Sequence, residues 1–410
     1  MRGRRVVVTG LGPVTSVGVG AKAFHVGQLE GRSAVRSISR FDASGLPVRI
    51  AAEVDLPDDL SLQRRDALAT DRVTHLAAAA ASLALQDAGL DLDSADRNRI
   101  GVALGTGCGG AESIRNGAAR ALKGPGSVSA RFIPMSMSNS TASWIAIRYG
   151  LGGPVTTTVT ACASGADALA TGHQMIATGE ADVVLAGGAE APVTDLLVAG
   201  FAKMKALSTR NDEPERASRP FGVDRTGFVL GEGAAVLVLE DSDHARARGA
   251  EPLAELLGYG RTSDAHHVVA PRPDGAAAAR AVVGALRSAG LTPEEVSHVN
   301  AHGTGTVLND AAEAAALTAA LGPAAARIPV TATKSMTGHA LGAAGAVEAV
   351  AAVQALVHQV LPPTANLDAP DTALGLDLVT GEPRDTRVSA VLSNSFAFGG
   401  HNVVLAFGQP

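Results

Sequence analysis

Large aromatic side chains are scarce in this chain: one Trp, two Tyr and nine Phe make up 3% of its 410 residues. Aliphatic side chains and alanine must therefore fill the interior. Cysteine is almost absent. Cys108 and Cys162 are the only two, too few for a disulfide framework, and a reducing cytoplasm is the natural setting. No basic excess exists either, since the formal charge of -6 leaves no footprint for nucleic acid. The basic start of the chain is interrupted by Gly10, Gly12 and Pro13, too early for a secretory apolar core. The most apolar long segment, residues 342–362, carries Glu348, Gln354 and His358 and reads as a buried helix rather than a membrane span. No glycine-rich stretch has a Walker or dinucleotide-binding context. Asp264, His266 and His267 lack further spaced ligands, so no metal site is expected. A soluble cytoplasmic protein is the expectation, with neither membrane nor nucleic acid as partner.

What is present is a compact α/β pattern. At 46% hydrophobic and 18% charged residues, the chain can bury a large core. Short β runs at residues 5–10, 100–105, 155–160, 181–186 and 234–239 alternate with helical stretches at 71–89, 135–149 and 163–178. Asp71 is placed to cap the first helix and Gly89 to end it. Near residue 251 the pattern restarts, with strands at 254–259, 296–301 and 328–333, helices at 275–290, 310–321 and 342–360, and a closing pair of strands. Two halves, 1–250 and 251–410, each with a mostly parallel sheet covered by helices, are expected.

The stretch VTTTVTACASGADA, residues 155–168, reads as strand, tight turn and helix with Cys162 at the turn. A thiol exposed there faces free N–H groups and the positive end of a helix dipole, which favour the thiolate. A small buried cysteine is the bland alternative. Three further strand ends carry polar residues: Asn300 to Thr306 (NAHGTGT), Lys334 to His339 (KSMTGH) and Ser393 to Asn402 (SNSFAFGGHN). Ligands in open α/β sheets bind beyond the carboxyl ends of strands, so these four ends can converge on one pocket.

Taken with LSTRNDEPERASRPF and DRTGFVLGEGAAVLVLE, these strings resemble the β-ketoacyl-acyl-carrier-protein synthases, most closely the type II elongating enzymes, essentially end to end. The resemblance implies a thiolase-like α/β fold: two similar βαβαβαββ halves in five αβαβα layers, as a homodimer or a heterodimer with a ketosynthase-like subunit. It also implies an acyl-Cys162 intermediate and decarboxylative condensation with malonyl-acyl-carrier protein, with no bound cofactor beyond the carrier's phosphopantetheine arm. Cys162 would be the nucleophile, with the N–H groups of Cys162 and Phe398 as oxyanion donors and neutral His302 and His339 stabilising the enolate. Lys334 would form an orienting ion pair, with Glu313 as the expected partner. Thr304 and Thr306 would hold the pantetheine arm, with Phe396 also lining the substrate path and His267 near its entrance. Asn300, Glu348, Ser393 and Asn394 resemble a cluster that holds a monovalent cation in some relatives; a plain hydrogen-bond network serves equally.

Two positions depart from the family pattern. Ala397 stands where glycine usually precedes the gating Phe398, which narrows the backbone's freedom. Cys108 replaces a larger aliphatic at the acyl-pocket wall and should leave more depth. An acidic carrier protein needs a basic patch, and Lys203, Lys205, Arg210, Arg216 and Arg219 are the candidates. Two alternatives remain: the catalytic member of a heterodimeric polyketide ketosynthase, or a catalytically dead subunit that only shapes the chain pocket.

Overall fold

The computed structural model describes residues 3–410; Met1 and Arg2 lie outside the described residues. In the first half β1 (Val6–Thr15), β2 (Ile100–Gly105), β3 (Val155–Thr158), β4 (Val183–Glu190) and β5 (Gly233–Asp241) pair in the order β1-β5-β4-β2-β3. In the second, β6 (Ala254–Ser263), β7 (His298–Asn300), β8 (Pro329–Thr331), β10 (Ala390–Ala397) and β11 (His401–Gly408) pair as β6-β11-β10-β7-β8, with the short β9 (Asp377–Leu378) beyond β8. Numbered within its own half and leaving β9 aside, each sheet runs first, fifth, fourth, second, third. Strand directions match as well: β2 is parallel to β3 and β4, β7 is parallel to β8 and β10, and the last strand of each half is antiparallel to both neighbours. Each sheet is thus mixed rather than mostly parallel. In the second half the reason is plain, because three residues joining β10 to β11 permit only a hairpin. The halves meet where Val7 and Val8 pair with Glu255 and Ala254.

Helices α1 (Arg72–Asp87) and α2 (Ser140–Tyr149) cover the outer face of the first sheet, and α5 (Ala276–Ala289) and α6 (Val307–Leu321) that of the second. Between the sheets lie α3 (Ser164–Ala177) and α7 (Ala344–His358). The helix α4 (Asp195–Lys203) sits apart from this stack, near the strand ends. Strand β5 shows how one sequence serves two layers: Ala234, Val236 and Val238 join the outer core, while Ala235, Leu237 and Leu239 join the central one. With both faces buried, the strand reads as a continuous apolar run.

Small residues set the spacing. A Cβ built on Gly165 of α3 would stand 2.9 Å from the Ala346 nitrogen of α7, and one on Gly345 would stand 2.8 Å from the Ala166 nitrogen. Each helix therefore rests directly on the backbone of the other. Glycine also corrects one boundary. The first strand, expected to stop at Gly10, continues to Thr15, because a Cβ at Gly10 or Gly12 would strike the Ala84 or Ala80 carbonyl of α1 at 2.4 and 2.0 Å. These glycines mark a close helix–sheet approach rather than a strand end. The helix expected at 135–149 is two, Phe132–Ser136 and α2, parted by an extended Met137. Asp71 caps α1 as expected, accepting from the Val73 N–H. The segment Leu341–His358 is long and apolar enough to cross a membrane, but it packs between the two sheets as a core helix.

Candidate active site

Strand β3 ends at Thr158, and Ala161–Ala163 forms a single 3₁₀ turn that runs directly into α3. Ala161 is held at φ 50°, a left-handed conformation that a residue with a Cβ adopts only under constraint. The Ser164 hydroxyl supplies part of that constraint, accepting from the Thr160 N–H at 2.9 Å and reaching the Ala161 carbonyl at 2.6 Å. Cys162, at the centre of the turn, lines a cavity of about 430 Å³. His302 and His339 line the same cavity, as do Thr304, Thr306 and Phe396. The Phe398 ring, Cys108 and His267 complete the set placed there from sequence.

The two imidazoles come from different strand ends, His302 just after β7 and His339 just after the short helix Lys334–Thr337. Their ring centroids stand 5.4 Å apart at 84°. Burial holds both well below the ordinary histidine range, and the Lys334 charge pushes them the same way, so both are neutral. Lys334 Nζ lies 3.1 Å from His302 Nδ1 and 2.5 Å from the His302 carbonyl. An ammonium only donates, so Nδ1 accepts and the ring proton of His302 sits on Nε2.

The expected partner of Lys334 was Glu313; its ion-pair partner is instead Glu348, on α7. Glu313 serves a different purpose. Its carboxylate accepts from the N–H groups of His302 and Gly303, each at 2.8 Å, and from Asn394 Nδ2 at 3.0 Å, and so fixes the loop that carries the histidine. Burial raises Glu348 to about 7, against the pull of Lys334. The network expected of Asn300, Glu348, Ser393 and Asn394 is only partly made. Both polar atoms of Asn300, Ser393 Oγ and Asn394 Oδ1 are buried without a protein partner; oxygens of this kind suit ordered water or a monovalent cation.

The thiol also departs from expectation. Cys162 is buried, and burial pushes its pKa up to about 12, over the opposing pull of Lys334; the Glu190 charge adds to the rise. The N–H groups of Phe398 and Cys162 do point at the sulfur and favour its anion, but they do not offset desolvation. The resting group is therefore a thiol.

Around it, Thr304 and Thr306 share a hydroxyl hydrogen bond at 3.0 Å, and Thr306 also caps α6 through the Asn309 N–H. His267 is exposed at the mouth, with Nδ1 accepting from the N–H groups of Val269 and Ala270. The Phe398 loop turns through Gly399 at φ 80° and Gly400 at φ 73° and is latched by the Gly399 N–H to the Val268 carbonyl at 2.8 Å. Ala397 is extended, at φ −119°, so alanine sits there without strain. Of the five proposed carrier-facing cations, Arg210 and Arg219 pair with Asp224 and Arg216 with Asp368, whereas Lys203 and Lys205 are exposed and Lys205 lines the cavity. Sequence reading missed Phe201 of α4, Phe228 and Leu341 on the cavity wall, and Glu190 beneath it. Only Glu190 left a signal: a lone carboxylate directly after an apolar run.

Comparison with known proteins agrees with this arrangement. Residues 3–245 match the β-ketoacyl synthase N-terminal domain and residues 253–368 the C-terminal domain. A 3-oxoacyl-[acyl-carrier-protein] synthase 2 from Synechocystis sp. is 46% identical, over 98% of both chains. Among solved structures, a type II PKS ketosynthase in complex with its acyl-carrier protein (AntDE:AntF) is 35% identical with a TM-score of 0.93, covering 100% of each chain. The ishigamide ketosynthase/chain length factor is 37% identical, also at TM-score 0.93 and 100% of each chain. With a family match over more than half its length and the thiolase-like fold of these relatives, the chain belongs to the β-ketoacyl synthase family.

Proposed function

We propose that this protein elongates acyl chains by decarboxylative Claisen condensation, joining an acyl thioester to malonyl-acyl-carrier protein to give a β-ketoacyl product two carbons longer. The observation that carries this reading is one cavity holding a thiol, two backbone N–H groups aimed at its sulfur and two neutral imidazoles. Cys162 attacks the acyl carbonyl, and its proton leaves during the attack for the departing pantetheine sulfur, since the resting group is protonated. The N–H groups of Cys162 and Phe398 are the oxyanion donors. Malonyl thioester then loses CO₂; His302 and His339 donate hydrogen bonds to the enolate oxygen, the carbanion attacks the acyl-Cys162 carbonyl, and the sulfur departs and takes up a proton. Lys334, paired with Glu348, orients His302. Thr304 and Thr306 hold the pantetheine arm, and Phe398 gates the chain.

In this reading residues 1–250 supply the nucleophile and residues 251–410 the histidines and the gating loop. The partners are an acyl-carrier protein, met first by Lys203 and Lys205, and a second ketosynthase-like subunit, identical or homologous; the cytoplasm is the compartment. The heterodimeric alternative draws support from the ishigamide ketosynthase/chain length factor. A dead subunit would have no use for a thiol and two imidazoles in one cavity.

Mass spectrometry after incubation with medium-chain acyl-carrier protein, then malonyl-carrier protein, tests the proposal. Acylation of Cys162 followed by release of a product two carbons longer is expected. Acylation without product favours an obligate partner subunit, and no acylation of intact Cys162 overturns the reading.

A further inference from the structure

Glu190, the last residue of β4, is fully buried and has no cationic partner among the described residues. Its two oxygens are saturated by donors. Oε1 accepts from the Cys108 N–H and the Thr106 hydroxyl, each at 3.0 Å; Oε2 accepts from the Gly107 N–H at 2.5 Å and the Gly342 N–H at 2.9 Å. Four donors meet the two oxygens and favour the carboxylate form, while burial pushes its pKa up. The fit is close. A Cβ on Gly342 would stand 2.5 Å from Oε2 and one on Gly107 2.9 Å from it, so a side chain at either glycine would collide with the carboxylate. Thr106 extends the hold by accepting from the Gly109 N–H at 3.0 Å.

Both segments bound by Glu190 border the acyl cavity. Gly107 and Cys108 line it on one side of the carboxylate, and Leu341, next to Gly342, lines it on the other. We infer that Glu190 is a positioning residue that sets which acyl chains fit, by fixing two wall segments of the cavity, the loop of Cys108 and the turn of Leu341, on one carboxylate. This rests on the acyl-transfer reading above.

Glu190→Gln tests this. An amide has one acceptor atom, so two of the four donors lose their partner. The ratio of kcat/KM between long and short saturated acyl-carrier substrates should change by about tenfold. Thr106→Val removes one donor and should shift the same ratio by less. An unchanged ratio in a Thr106→Val variant that condenses normally overturns the positioning role, even where Glu190→Gln does not fold. Wild-type protein that accepts no acyl chain defeats the acyl-transfer reading instead.

Discussion

Two turns in this molecule have the same backbone and opposite uses. Ala161–Ala163 leads into α3 and Leu341–Ala343 leads into α7; each is a 3₁₀ turn, and each begins at a non-glycine residue with positive φ, 50° at Ala161 and 41° at Leu341. At the centre of the first stands Cys162, whose N–H and that of Phe398 face the sulfur in an open cavity. At the centre of the second stands Gly342, whose N–H is taken by Glu190. One donor waits for a ligand from outside and the other is sealed from within. A helix-leading turn offers donors wherever it occurs; chemistry follows where the neighbouring strand end leaves them free.

The sharpest test of this contrast exchanges the central residue for alanine in each turn. Cys162→Ala should abolish acylation and lower condensation by at least about 10³-fold, measured by product release, with the fold intact. Next in size is Lys334→Ala, in the half that carries the imidazoles. It strands the buried Glu348 carboxylate and frees the His302 ring, so a loss of about 3–5 kcal/mol in denaturant unfolding is expected together with loss of decarboxylation. A stable, active variant would refute the orienting pair. Gly342→Ala should cost about 1–3 kcal/mol by overpacking, because its Cβ would stand 2.3 Å from the Gly107 nitrogen. A normal unfolding midpoint would show that the sealed turn has slack.

The smallest effect is a dependence on pH. Burial lowers histidines in both halves: His298 to about 3, with His302 and His339 well below the ordinary range, and in the first half His173 to about 4, with His25 and His75 also lowered. An unfolded histidine titrates near 6.5. Below that pH the unfolded chain binds protons that these folded rings refuse, so each ring contributes a loss of stability as pH drops from about 6.5 towards its folded value. Removing one of them, His298→Asn, should flatten the pH dependence of Tm between about 6.5 and 3. An unchanged slope would refute that role of His298.

The cysteine turn was legible because a β-branched run, a small-residue turn and an alanine-rich helix each carry a local signal. So were the strand ends bearing His302 and His339. The partner of Lys334 was not. Glu313 and Glu348 both lie on helices downstream or upstream of the lysine at comparable separations in sequence, and only the packing of α7 against the strand ends selects Glu348. The state of the thiol is hidden for a related reason: the turn reveals its favourable dipoles, whereas burial and the Glu190 charge come from residues elsewhere in the chain. Gly10 reads as the end of β1 because a glycine beneath a helix looks the same in sequence as a glycine at a turn.

The contact between α3 and α7 bears on how such a chain can diverge. Gly165 and Gly345 each meet the other helix's backbone, so neither can acquire a side chain while the partner helix stays where it is. The two halves can drift apart in sequence at most positions, yet at this crossing any change must be answered across the molecule. Sequence variation there is a property of the pair, because a change in one helix requires a matching change in the other.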